Sequence, residues 1–207
     1  MKKQKINYIN SIQLKKNDKK NFKKLSKKFS DSFNKISNEL NLRNNPFHSL
    51  SEYFRFDFNQ KDLQNFKNFK TVVVIGIGGS ILGSEAIYSF LRKKVKKKFF
   101  FLDNIDLSKL QEIEQHNKKH KTLFIIISKS GNTTETLSNI LSLKIIKKNS
   151  KNIIIIAEKS NNILFNLSKK FNLKFFEHKF YIGGRYSVLS EVGMLPACLM
   201  GINTKNL

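Results

Sequence analysis

The sequence predicts an α/β fold, an αβα sandwich in which a parallel sheet lies between two layers of helices, preceded by a helical segment. Three observations carry that prediction. Beyond Lys70, short β-rich apolar runs alternate with longer stretches of helical period, the pattern of successive βαβ units. The runs are nearly continuous, as in Val72-Val-Val-Ile75 and Ile153 to Ile156, which suits strands buried on both faces. Two of them lead into glycine-bearing loops where a strand should turn into a helix.

The first element expected is a helix over about 18–40. Phe22, Leu25, Phe29, Phe33, Ile36 and Leu40 recur in steps of three and four, tracing one face. Residues 41–69 contain Pro46 and closely spaced aromatics (Phe47, Tyr53, Phe54, Phe56, Phe58) and read as a connection packed over a domain surface. Strands follow near 71–76, 99–102, 123–127, 153–157 and 173–176, with helices in the gaps. One helix should run from about Ile81 to Lys93 and another from about Tyr186 to Met200. The division is therefore 1–69 as helical segment and connection, and 70–207 as the α/β domain. A chain of 207 residues fits one such domain with a helical extension.

Composition excludes several classes. Apolar residues make up 40% of the chain, enough for a packed core. The single Cys198 rules out an internal disulfide and points to a reducing compartment. Met1 to Lys5 is basic, but no apolar stretch follows it as in a secretion signal, and no run reaches the roughly 18 apolar residues of a membrane span. The cytoplasm is the expected location, without a membrane partner. The net charge of +24 would attract polyanions. Only four of the cations are arginines (Arg43, Arg55, Arg92, Arg185), however, and the lysines are spread along the chain among many Asn, Ile and Phe residues. That distribution suits a bias toward AT-rich codons better than a nucleic-acid reader, which exploits the planar guanidinium.

Two loops are chemically loaded. Gly76-Ile-Gly-Gly-Ser80 follows the first strand and approximates a dinucleotide fingerprint, with Asp103 placed to imitate a ribose-binding acid. Its third glycine position holds Ile81, so the match is weak. A tight strand-to-helix turn explains the glycines equally simply. Ser128-Lys-Ser-Gly-Asn-Thr-Thr-Glu135 follows the third strand and brings hydroxyls, a glycine and a helix start to one strand end. Such a loop suits a phosphate, through Ser128, Ser130 and Thr133 with Ser80 from the neighbouring loop. The alternative is helix capping by Asn132 or Thr133, with Glu135 closing a capping box. No Walker motif occurs. A third segment places Arg185 between Gly183-Gly184 and a helix start, where it can stabilise an anion or make a structural ion pair or carbonyl clamp.

Three motifs, VVVIGIGGSILG at 72–83, SKSGNTTET at 128–136 and GGRYSVLSEVGMLP at 183–196, together resemble those of the glucose-6-phosphate isomerase family. The resemblance covers about 71–202, the family's first sugar isomerase (SIS) domain, and implies a five-stranded parallel sheet in a Rossmann-like sandwich. It implies an aldose–ketose isomerase of glycolysis and gluconeogenesis that interconverts glucose 6-phosphate and fructose 6-phosphate without metal or organic cofactor, and a homodimer if a second half is present. It also implies that Ser80, Ser128, Ser130 and Thr133 bind the substrate phosphate, with Lys129 adding backbone or charge and Gly79 a backbone contact. Ser130 stands where many relatives have threonine. Arg185 falls at the position that stabilises the cis-enediolate. The family's glutamate base, ring-opening histidine and nearby lysine lie downstream of the third motif, so the chain is expected to hold the phosphate-binding half alone. Glu85, Glu135, Glu191, His48, His116, His120 and His178 match none of those positions, and His178 reads as a surface histidine. A non-catalytic sugar-phosphate-binding module is the alternative.

Overall fold

The computed structural model describes residues 16–42 and 44–204. The basic amino terminus, Arg43 and the last three residues lie outside that range. The chain divides into two compact units after Leu40. The first contains helix α1 (Lys16–Glu39), close to the expected 18–40. One face carries Phe22, Leu25, Phe29, Phe33 and Ile36, and the rings of Phe29 and Phe33 stack at 6.1 Å.

The second unit is the α/β sandwich. Strands β1 (Thr71–Ile75), β2 (Lys98–Leu102), β3 (Thr122–Ile127), β4 (Ile153–Ala157) and β5 (Lys174–Glu177) form one parallel sheet in the order β2-β1-β3-β4-β5. All five predicted strands are present within two residues of their expected bounds. Helices α2 (Leu82–Phe90), α3 (Leu107–Lys119), α4 (Thr134–Leu143), α5 (Ile163–Phe171) and α6 (Glu191–Leu199) cover it.

Alternation along the strands divides the core into two layers. On one face Val72, Val74, Leu123, Ile125 and Ile154 pack under α2 and α6. Phe58, Leu63 and Phe66 join that layer, so the connection packs with the sheet unit. On the other face Val73, Phe124, Ile126 and Ile155 pack under α3, α4 and α5. This division follows from right-handed crossovers. The step from β1 to β2 runs one way along the sheet and every later step runs the other, so α2 is on the face opposite α3–α5.

The expected helix over 186–200 is broken. A 3₁₀ turn (Gly184–Leu189) precedes α6, and Ser190 between them is extended, its side chain accepting from the Val192 amide. The broken path brings the chain close to itself: Gly193 lies against the Val188 carbonyl so closely that a Cβ there would collide with it. Among the described residues no helix is long and apolar enough to cross a membrane.

Candidate functional site

The direction of winding reverses between β1 and β3, and ligands of open parallel sheets bind beyond the strand ends at such a point. Both loaded loops leave there. Ile75 pairs with Ile126, so residues 76–81 and 128–133 emerge side by side. The first loop lies tight against the end of β3: a Cβ on Gly76 would stand 2.9 Å from the Ile127 carbonyl oxygen and 3.2 Å from the Ser80 Cβ. Gly78 turns the chain with φ 56°. Ser80 is buried at the foot of α2.

The second loop is folded around its own hydroxyls. The Ser128 and Thr133 hydroxyls are hydrogen-bonded at 2.8 Å, and Ser128 Oγ accepts from the Gly131 amide at 3.2 Å. Gly131 has φ 67°, and the space its Cβ would need is taken by the Asn162 side chain. Asn162 in turn caps α5 by accepting from the Phe165 amide at 2.9 Å, and its amide donates to the Glu158 carbonyl. The β4–α5 loop therefore holds the β3–α4 loop in shape. The Ser130 side chain accepts from the Asn132 amide at 3.3 Å on the exposed rim. Lys129 faces Glu158 at 3.6 Å, and its carbonyl accepts from the Glu158 amide.

The capping alternative fails here. Thr133 occupies the N-cap of α4 but makes no side-chain capping bond, and the Asn132 side chain accepts from Ile163 at 2.9 Å instead. Glu135 is exposed and closes no capping box. Helices α3, α5 and α6 are capped by Asp106, Asn162 and Ser190, whereas α2 and α4 have no side-chain cap. Among α2–α6, the two uncapped helices are the two that start at the switch point. Uncapped amide groups and the positive end of each helix dipole favour an anion. The fingerprint acid Asp103 is held by Lys109 at 3.0 Å.

The third motif packs onto the first. Gly79 and Gly184 meet backbone to backbone, so that a Cβ on Gly79 would collide with the Gly184 carbonyl. Ser187 Oγ lies within hydrogen-bond reach of the Gly184 carbonyl at 2.7 Å and the Gly79 carbonyl at 3.1 Å. Arg185 is exposed and makes no ion pair or hydrogen bond among the described residues, so neither structural role considered for it applies. Gly79, Ser80, Ser128, Ser130, Thr133 and Arg185 thus lie on three contiguous segments at the carboxyl end of the sheet.

Sequence reasoning missed the groups beneath this surface. His178 is 1% exposed, which overturns its reading as a surface residue. Its amide continues the β5 pairing to the Ala157 carbonyl, and the alternation that buries Phe176 buries His178 too. Its Nδ1 lies 3.1 Å from the Lys179 carbonyl, while Nε2 is buried with no hydrogen-bond partner among the described residues. Burial holds the imidazole at about 4, well below its ordinary 6.5. Glu191, fully buried, accepts from the Asp57 amide at 2.8 Å and faces Lys179 at 3.6 Å. Burial pushes its carboxyl up, opposed by its own amide, the Asp57 amide and the Lys179 charge. Two surface clefts, about 430 and 790 Å³, lie at the opposite, amino-terminal end of the sheet, where Lys118 and Lys119 complement the carboxyl end of the α3 dipole.

Residues 9–205 match the family model of phosphoglucose isomerase. The chain belongs to the phosphoglucose isomerase family. A probable glucose-6-phosphate isomerase of Methanococcus maripaludis is 37% identical over 149 residues, which cover 68% of this chain and 34% of that protein. The glucose-6-phosphate isomerase of Borreliella burgdorferi is 40% identical over 142 residues, covering 63% of this chain and 26% of that one. Among solved structures, a hypothetical protein of Thermus thermophilus matches with TM-score 0.62 at 27% identity, over 70% of this chain and 37% of that one. The glucose-6-phosphate isomerase of Chlamydia trachomatis matches with TM-score 0.56 at 27% identity, over 69% and 28%. The chain thus spans about a third or less of the length of these phosphoglucose isomerase relatives, and the matched part holds the SIS-type α/β sandwich.

Proposed function

We propose that this chain is the phosphate-binding part of an aldose–ketose isomerase acting on glucose 6-phosphate and fructose 6-phosphate. The observation that carries the reading is the pair of uncapped helices, α2 and α4, opening side by side at the switch point beneath a hydroxyl-lined loop. In this reading Ser80, Ser128, Ser130 and Thr133 donate to the phosphate together with the loop amides. Gly79 brings backbone close to the sugar, and Lys129 fixes the loop through Glu158. The family assignment supports the substrate class.

Isomerisation moves a proton between C1 and C2 of the opened sugar by a base, through an enediolate whose charge needs a fixed cation. Arg185 is assigned that charge-stabilising role, which a guanidinium unpaired among the described residues leaves it able to fill. A module that only senses sugar phosphate has no need of such a residue. None of the chain's glutamates or histidines is assigned as base or ring-opening group. The chain by itself, in a cytosolic setting, is proposed to bind substrate through its α/β unit with little or no turnover, because a positioned acid or base contributes about 10²–10⁴-fold each.

The test is a pair of assays on the purified chain. Both hexose 6-phosphates should bind saturably, while unphosphorylated fructose and nicotinamide dinucleotides should not, and a coupled isomerase assay should stay near background. Robust turnover, or dinucleotide binding in place of sugar phosphate, would contradict the proposal.

A further inference from the structure

Arg185 stands on a strap, residues 179–191, that leaves β5 and returns into α6. The two ends of that strap are joined. Lys179 Nζ lies 3.6 Å from Glu191 Oε1, and the side chains are 21% and 0% exposed. The same carboxylate oxygen accepts from the Asp57 amide at 2.8 Å, and Asp57 Oδ2 accepts from the Glu177 amide at 2.6 Å. The end of β5, the 54–58 connection and the start of α6 are therefore laced into one knot at the foot of the strap. Higher up, Ser187 and the Gly79–Gly184 approach hold it against the first loop.

We propose that Lys179 and Glu191 are positioning residues for Arg185: their pairing closes the foot of the strap and fixes where the guanidinium stands. The proposal rests on the assignment of Arg185 as the residue that meets the charge developing on the sugar.

Stability alone is a poor explanation of this pair. A desolvated ion pair returns little net stability, because two charges are taken out of water to make it. Glu191 moreover carries a second oxygen, Oε2, buried without a hydrogen-bond partner among the described residues. A carboxylate in that position is costly, and glutamine or an apolar residue would fill the space more cheaply. What the charge adds is direction. It ties a lysine at one end of the strap to the first residue of the helix at the other, on either side of Arg185.

The experiment is calorimetric titration of the whole chain with two probes. Inorganic phosphate reads the cradle alone. 6-Phosphogluconate adds a C1 carboxylate, a planar anion at the end of the sugar where an enediolate would form. Arg185→Ala should weaken 6-phosphogluconate about tenfold, the scale of one charge-assisted contact, and leave phosphate unchanged. Glu191→Gln should weaken 6-phosphogluconate roughly three- to tenfold, leave phosphate unchanged, and have no further effect in the Arg185→Ala background. Lys179→Arg, which keeps the pair, should retain normal affinity. If Glu191→Gln fails to fold, Lys179→Met breaks the same pair from its partly exposed end and carries the same expectation.

Equal loss for both probes, no loss for either, or additivity with Arg185→Ala would each overturn the positioning role while leaving the functional reading intact. Failure of the unaltered chain to bind either probe, or Arg185→Ala without effect, would instead defeat the functional reading, and this inference with it.

Discussion

His178 links the fold to pH. In the unfolded chain its imidazole takes up a proton near 6.5, whereas burial in the folded chain delays this to about 4. Between those values the unfolded state binds more protons, so stability present above 6.5 is lost as pH falls toward 4, by roughly 3 kcal/mol in all. Glu191 acts in the opposite sense: its raised carboxyl pKa means that the folded state holds the proton longer, so its contribution falls as pH rises from 4.5 through the folded value. Comparison of the native chain with His178→Leu isolates the histidine. Urea unfolding across this range should show the native chain losing stability relative to the variant on acidification. Parallel curves would contradict the buried, neutral histidine. At this scale the sequence was only partly legible. The hydroxyls of the second loop declared themselves by their density, but burial of His178 and Glu191 depends on which way β5 and α6 face. For His178 the available signal was the two-residue alternation from Phe176.

At the scale of elements, the strands and helices followed from apolar period and glycine placement, and the expected helix over 186–200 did not. Its pattern is helical throughout. The break at Ser190 goes with a close approach of Gly193 to the Val188 carbonyl, which apolar period does not encode. The support of the cradle was equally hidden, since Asn162 reads in sequence only as a cap for α5. In the structure it also fills the space beside Gly131. Asn162→Ala should cost about 1–2 kcal/mol by loss of the cap and also loosen the β3–α4 loop. Gly131→Ala, forced into a left-handed backbone against Asn162, should cost about 1–3 kcal/mol. Thermal unfolding measures both. The expected companion effect is weaker phosphate binding in each, and variants that lose stability with unchanged phosphate affinity would show that the β4–α5 loop does not hold the cradle.

For the whole molecule, the order β2-β1-β3-β4-β5 puts the two loaded loops side by side at the one reversal of winding, and the third motif folds back onto the first through Gly79 and Gly184. Three segments more than 100 residues apart at their extremes therefore share one end of the sheet. Their residues, order and spacing in sequence were enough to suggest the family, whereas their meeting at one end of the sheet depends on the strand order. The central claim is that the Ser128–Thr133 loop, not the general lysine charge, recognises the phosphate. Calorimetric titration with fructose 6-phosphate at moderate salt, on the native chain and on Ser128→Ala/Thr133→Ala, tests it most directly. Saturable binding that the double variant loses is the predicted result; equal binding by both proteins, or none by the well-folded native chain, would contradict it.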